Sequence, residues 1–185
     1  MKNIWKLMFL GAFMLMLGLP ALAKDETQDQ YIADLGSPQE KVVIAALQGI
    51  EKNFPTSAAA QAKIKPLLAD SRIAVKRKAA RVLGVVGADV SDADLKNIVT
   101  LLDSSDKPTI IDGLKSLRGL KAESTVPKIV PLLKNPDANV KRDACRTLAV
   151  LADKGVIPSI EPLLQDKDKG VVKDAGDAMA VLKAK

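Results

Sequence analysis

The chain contains no histidine and a single cysteine, Cys145, among its 185 residues. Without histidine there is no Cys–His or Ser–His pair, and the usual general base is missing. A lone cysteine makes no internal disulfide. With thiolate and imidazole so scarce, metal binding would fall to carboxylates, which suit hard cations such as calcium. Aromatic residues are 3% of the chain, and Trp5, Phe9 and Phe13 all fall in its first stretch, so Tyr31 and Phe54 are the only two beyond it. Single-stranded nucleic acid is held on stacked aromatic platforms, and this chain has none to offer. No G-x-S-x-G, phosphate loop or dinucleotide fingerprint occurs, and "GLKSLRGLKAES" has two glycines but no strand before it. The composition speaks against catalysis and predicts neither cofactor nor metal.

The amino-terminal stretch is of a different kind. Lys2 and Lys6 precede an apolar run from Leu7 to Leu19, and Pro20 is followed by Ala21-Leu22-Ala23. A positive n-region, an apolar core and an A-x-A site are the signature of a secretory signal peptide. The expectation is a signal peptide over residues 1–23, cleaved after Ala23, with retention as an anchor as the other outcome. The leader is bacterial in style, which points to the periplasm. Residues 24–29 then form a short lead-in and residues 30–185 one domain, with no membrane span after cleavage. Setting Lys2 and Lys6 aside leaves 26 basic residues against 22 acidic ones, a charge of +4. That is too mild for a nucleic-acid-binding tail.

The domain repeats itself. Leucines at 35, 68, 102, 133 and 164 are separated by 33, 34, 31 and 31 residues. Four residues before each stand Tyr31, Ile64, Ile98, Ile129 and Ile160. Seven, eleven and fifteen after each lie Val42/Ala46/Ile50, Val75/Ala79/Leu83, Thr109/Gly113/Leu117, Val140/Ala144/Leu148 and Val171/Ala175/Met179. Those offsets share one face of an α-helix, with a small residue in the middle where a neighbour must come close. Short polar breaks ("GSPQE", "ADSRIA", "DSSDKP", "KNPDAN", "QDKDKG") separate this helix from the one before it. Ser37-Pro38-Gln39-Glu40 and Asn135-Pro136 read as cap-then-proline helix starts. Each unit is a helix, a tight turn and a helix, and stacking of five such units supplies the core. Pro66, Pro131 and Pro162, each two residues before its leucine, predict bent first helices.

In "PLLKNPDANVKRDACRTLAVL" (131–151) and "PLLADSRIAVKRKAARVLGVV" (66–86), a P-x-L first helix is followed by Asp, Val-Lys-Arg and spaced alanines. This pattern resembles the HEAT-like repeats, in the short form of bilin-lyase accessory proteins. The resemblance covers residues 30–183 and implies an all-α, right-handed α-solenoid whose second helices line a concave side. The third unit departs from it, with Ile110-Ile111 where units two and four have Lys-Arg, and the first unit lacks the basic pair too.

Two features remain with functional content. Cys145 sits twelve residues after its leucine, in a column with Leu47, Ala80, Leu114 and Gly176, which makes it a core residue despite its basic neighbours. Nine and thirteen residues after the leucines stand Arg77/Arg81, Ile111/Lys115, Arg142/Arg146 and Lys173/Asp177. Arg77, Arg81, Lys115, Arg142 and Arg146, joined at the edge by Arg118 and Lys173, form a candidate basic stripe for a partner with an acidic surface. The bland alternative is a solvated face, with Lys76 and Lys141 tied to turn carboxylates such as Asp70 or Asp137. Asp166-Lys167-Asp168-Lys169-Gly170 shares D-x-D-x-G with a calcium loop but has Asp177 where the distal glutamate belongs, and reads as a capping turn. The expectation is a non-catalytic protein-binding scaffold. Its rivals are a lyase-like enzyme component, by the same resemblance, and a binder of an anionic envelope polymer.

Overall fold

The computed structural model describes residues 27–185, all helices and turns; the predicted signal peptide and the first half of the lead-in lie outside the described residues. Five helical pairs follow one another. The first is α1 (Gln28–Asp34) with α2 (Glu40–Asn53), the second α3 (Ala58–Ile64) with α4 (Ile73–Val86), and the third α5 (Asp92–Val99) with α6 (Lys107–Gly119). The fourth is α7 (Val126–Ile129) with α8 (Ala138–Leu151), the fifth α9 (Ile157–Ile160) with α10 (Lys169–Ala184). The second helices α2, α4, α6, α8 and α10 stack in that order. Among the described residues, no helix is long and apolar enough to cross a membrane.

The repeat columns are the core. Ile64, Ile98, Ile129 and Ile160 are fully buried, as are Val75, Val140 and Val171, and the alanines at 79, 144 and 175. The columns loosen only at the two ends, where one neighbour is missing. Val42 is half-buried while Val43 beside it is fully buried, and Leu164 is half-buried while Leu163 carries the burial. At the first end, Tyr31 lies where a side chain on Gly49 would fall, its ring 2.2 Å from that position, and it packs on Phe54 at 6.2 Å between centroids. At the other end, the Lys185 ammonium donates to the Val150 and Ala152 carbonyls (2.9 and 2.6 Å) and so closes the carboxyl end of α8.

The first helices of units two to five tighten from α into 3-10 geometry over Lys65–Ala69, Thr100–Asp103, Val130–Lys134 and Glu161–Gln165. Pro66, Pro131 and Pro162 each sit at the first or second position of that segment. The third unit has Thr100 there and tightens all the same, its hydroxyl donating to the Asn97 carbonyl. The tightening therefore belongs to the repeat. Proline is accepted because it needs no amide partner at the start of a helical segment.

The turns differ from the predicted cap-then-proline starts. In all five units the side chain two residues after the leucine (Ser37, Asp70, Ser104, Asn135 or Asp166) accepts from the amide two residues further on. The residue receiving that support then stands at the N-cap. Asp106, Asp137 and Asp168 bond Thr109, Asn139 with Val140, and Val171 there. Ser37 and Asn135 are thus turn-formers and not caps, and the second helices start at Glu40 and Ala138, later than the prolines suggested. The physical reason is that a short polar side chain satisfies the amide two residues on as readily as a helix end.

Candidate binding face of the second helices

In α4, α8 and α10 the ninth and thirteenth columns carry charged side chains on the face away from the core, while Ile44 and Ile111 of the ninth column pack against it; all seven candidate cations lie on or beside that face. Six of them are paired, and almost every pair crosses from one repeat to the next. Arg77 and Arg81 on α4 both reach Asp112 on α6 (3.2 and 3.4 Å), and Arg77 also meets Asp106 at 3.4 Å. Arg118 on α6 lies 3.9 Å from Asp143 on α8. Arg142 and Arg146 on α8 clasp Asp174 on α10 at 2.7 and 2.9 Å. Lys173 pairs within its own helix with Asp177, at 2.6 Å and fully in solvent. Lys115 is exposed and has no acidic partner among the described residues.

Asp112, Asp143 and Asp174 are far more enclosed than the cations they meet. Asp174 and Asp143 side chains are 6% and 9% exposed, against 34% and 44% for Arg142 and Arg146. Burial alone would favour the protonated Asp174, but the bonds from Arg142 and the Arg146 charge outweigh it and hold the carboxyl below its ordinary value. The same contact raises Arg142 further. These three aspartates were missed in the sequence, although Asp112, Asp143 and Asp174 recur at 31-residue spacing. They are one residue past the arginine column, and so project against the neighbouring repeat. The stripe is thus a mixed-charge ladder and not a purely basic face.

Lys141 is tied down, as expected, but by a different partner. It pairs with Asp166, in the turn of the following unit. Asp137 is taken by Lys107 of the preceding unit at 2.8 Å, and Asp70 by Arg72 of its own turn at 2.7 Å. No ion pair ties Lys76 to Asp70, although its charge is felt there. The reason is geometric: a residue on the first turn of a second helix leans toward the next turn in the stack. Asp166 and Asp168, the two carboxylates of the D-x-D-x-G stretch, are engaged by Lys141 and by the Val171 amide.

Cys145 is fully buried in α8, and burial together with the Asp174 charge pushes its thiol up to about 12, the opposing Arg146 notwithstanding. It carries no thiolate at neutral pH.

The face is not flat. Gly84 and Gly119 bring α4 and α6 into backbone contact. A Cβ on Gly119 would fall 2.2 Å from the Gly84 carbonyl oxygen, and one on Gly84 2.7 Å from Ser116 Cα. Above this pinch lies a depression of about 310 Å³, walled by Arg81, Val85, Lys115 and Arg118. A second, of about 360 Å³, lies between α8 and α10 beside Arg146, Lys173 and Val181. Val85, Val150 and Val181 occupy one column, four residues beyond the second stripe column, and stand 63%, 49% and 48% exposed.

Paired helices at this spacing, with small residues at the joints, match a known family. The family model for HEAT repeats matches residues 95–180, and the described residues as a whole share the HEAT-like repeat fold. Among curated proteins, none matches it by sequence. Among solved structures, it is similar to the complex of CpcE and CpcF of phycocyanin lyase from Nostoc sp. PCC7120 (TM-score 0.72, 21% identity, 93% of this chain and 71% of that one). An engineered protein superposes at TM-score 0.63 and 21% identity, over 85% of this chain and 79% of its own. A designed armadillo repeat protein in complex with the peptide (KR)4 does so at 0.65 and 17%, over 84% and 81%. At these identities the likeness is one of fold. The HEAT-like units include the two that the sequence could not fit to the basic pattern, the first and the third, since the fold is carried by the core columns.

Proposed function

We propose that this protein is an exported, non-catalytic interaction scaffold that takes an acidic protein partner along the concave side formed by its second helices. The observation that carries the reading is the imbalance of the ladder. Asp112 is shared by two arginines, Asp174 by two more, and Lys115 has no acidic partner at all among the described residues. Six of the seven cations share five carboxylates (Asp106, Asp112, Asp143, Asp174, Asp177), and with Lys115 unpaired the set carries an excess of two positive charges. Such an excess steers an acidic partner and sets the salt dependence of its docking. Support from likeness is limited to the fold: a two-chain complex and a peptide complex occur among the similar solved structures. Export rests on the leader, and the periplasm is its address.

The test is a cross-linking pull-down from envelope extract, with the chain from Lys24 onward as bait beside Lys115→Glu. Lys115 is chosen because it belongs to no ion pair, so reversing it leaves the ladder intact. Acidic proteins captured by the unaltered bait and depleted on the variant support the reading; equal capture refutes the face. Fractionation and the mass of the mature amino terminus test export, and a soluble cytoplasmic species starting at Met1 refutes it.

A further inference from the structure

The two depressions on the ladder face differ in charge. Beside the second, Arg146 and Lys173 each have a carboxylate in the lining, Asp174 and Asp177. The first has three cations in its wall and no carboxylate. Of those cations, Arg81 shares Asp112 with Arg77 and holds it only at 3.4 Å, Arg118 is 3.9 Å from its carboxylate, and Lys115 has none. The unpaired and the loosely held cations of the face are therefore gathered between α4 and α6.

The floor is as particular as the wall. Where α4 and α6 touch, Gly84, Ser116 and Gly119 leave no side chain standing above the backbone. A ligand can thus approach the helix surface itself beside Val85, the most exposed of the large apolar side chains. Three loosely held cations around an apolar edge suit an apolar residue flanked by carboxylates. The volume, about 310 Å³, is at the small end of ligand pockets and fits one or two side chains.

We propose that this α4–α6 depression is the anchor subsite of the scaffold, and that it takes a short acidic–apolar peptide segment of the partner. The carboxylates pair with Lys115 and Arg81, with Arg118 at the rim, and the apolar side chain covers Val85 over the glycine floor. The proposal rests on the scaffold reading above and narrows it to one place and one chemistry. Desolvation of Val85 supplies the non-directional part of the affinity, and the cations supply selection of sign.

The test is fluorescence anisotropy with a labelled peptide Gly-Asp-Leu-Glu-Leu-Asp-Gly, beside one with lysine at the acidic positions and one with serine for both leucines. Variants Lys115→Glu and Val85→Ser probe the site, and Lys173→Glu and Val181→Ser probe the second depression; all four positions are exposed, and circular dichroism melts verify their folding. The acidic–apolar peptide should bind, both control peptides should bind at least tenfold more weakly, and Lys115→Glu should lose about tenfold, an effect of removing attraction and adding repulsion. Val85→Ser should lose about threefold by its apolar area, while the two distant variants stay within twofold. Binding that ignores Lys115→Glu and Val85→Ser, or that responds equally to Lys173→Glu and Val181→Ser, overturns the subsite while leaving the scaffold reading standing. No binding of the peptide at millimolar concentration overturns the proposed occupant, and the pull-down then decides the scaffold reading independently.

Discussion

Replacing glycine by alanine should have opposite signs at two positions of this protein, and the difference measures how closely its repeats are stacked. Gly84 lies inside α4 and Gly176 inside α10, so each substitution improves helix propensity by about 1 kcal/mol. At Gly176 nothing opposes the gain: the new Cβ would meet only Leu164 Cδ2, at 4.0 Å. At Gly84 the Cβ would stand 2.7 Å from Ser116 Cα and 2.9 Å from Ser116 O, both backbone atoms that cannot rotate away. Ordinary contact is ~3.5–4.0 Å, so α6 would have to retreat by about 1 Å. A gap of that size forfeits a quarter to a half of each dispersion contact across the joint. Overpacking costs about 1–3 kcal/mol, and contact with backbone puts this site in the upper part of that range, about 2–3 kcal/mol, so the net loss after the propensity gain is roughly 1–2 kcal/mol. At ~2–4 °C per kcal/mol for a domain of this size, Gly84→Ala should lower Tm by roughly 2–8 °C. Gly176→Ala should raise it by about 2–4 °C on the same scale. Thermal melts by circular dichroism, repeated as urea midpoints, measure both. A Gly84→Ala protein as stable as the parent would refute the backbone contact between α4 and α6, and with it the floor of the proposed subsite.

Other outcomes follow from the same coordinates. Asp174→Ala leaves two guanidiniums without their shared carboxylate, but both are a third or more exposed and can hydrate, so the loss should be about 1–2 kcal/mol in a urea melt; a neutral result would mean the clasp is not formed in solution. Asp70, Asp106, Asp137, Asp166 and Asp174 are all held below the usual carboxylate range, chiefly by bonds from Arg72, Thr109, Lys107, Lys141 and, against burial, Arg142 with Arg146. Their contribution is present above the unfolded value of about 4 and is lost as pH falls through the lower folded values. Since the chain lacks histidine, urea midpoints should be level from about pH 5 to 8 and fall below about pH 4; a step near pH 6.5 would contradict this. Cys145 should resist iodoacetamide at pH 8 in the folded protein and react once the chain is denatured in urea, read by mass spectrometry; fast labelling of the native chain would show that the column is open.

The core was legible because it obeys a period: a column that repeats five times at helical offsets is visible without coordinates, and Ile98 or Ala144 could hardly face elsewhere. The caps were read two residues early, since Ser37 and Asn135 have the same side-chain chemistry whether they cap a helix or brace a turn. The stripe was legible as a set of cations and illegible as a ladder. Arg142 and Asp174 are 32 residues apart, and their meeting depends on the rotation between successive repeats, which no single unit encodes. The glycine contact was hidden for the same reason. Gly84 and Gly119 sit in different columns, and only the stacking brings one carbonyl against the other.

The ladder runs one way, and this gives the stack a head and a tail. Arginines are offered by one repeat and aspartates received by the next, so a cut at any joint from unit two onward leaves surplus cations on the upstream piece and surplus carboxylates on the downstream piece. Units three and four each carry both halves on the second helix, Asp112 to take and Arg118 to give in α6, Asp143 to take and Arg142 with Arg146 to give in α8. Unit four, which gives two arginines at close range, is the natural point at which the array can be lengthened. A duplicate of those 31 residues would find Asp143 ready beneath its predecessor's arginines, and would hand the existing Asp174 its usual pair.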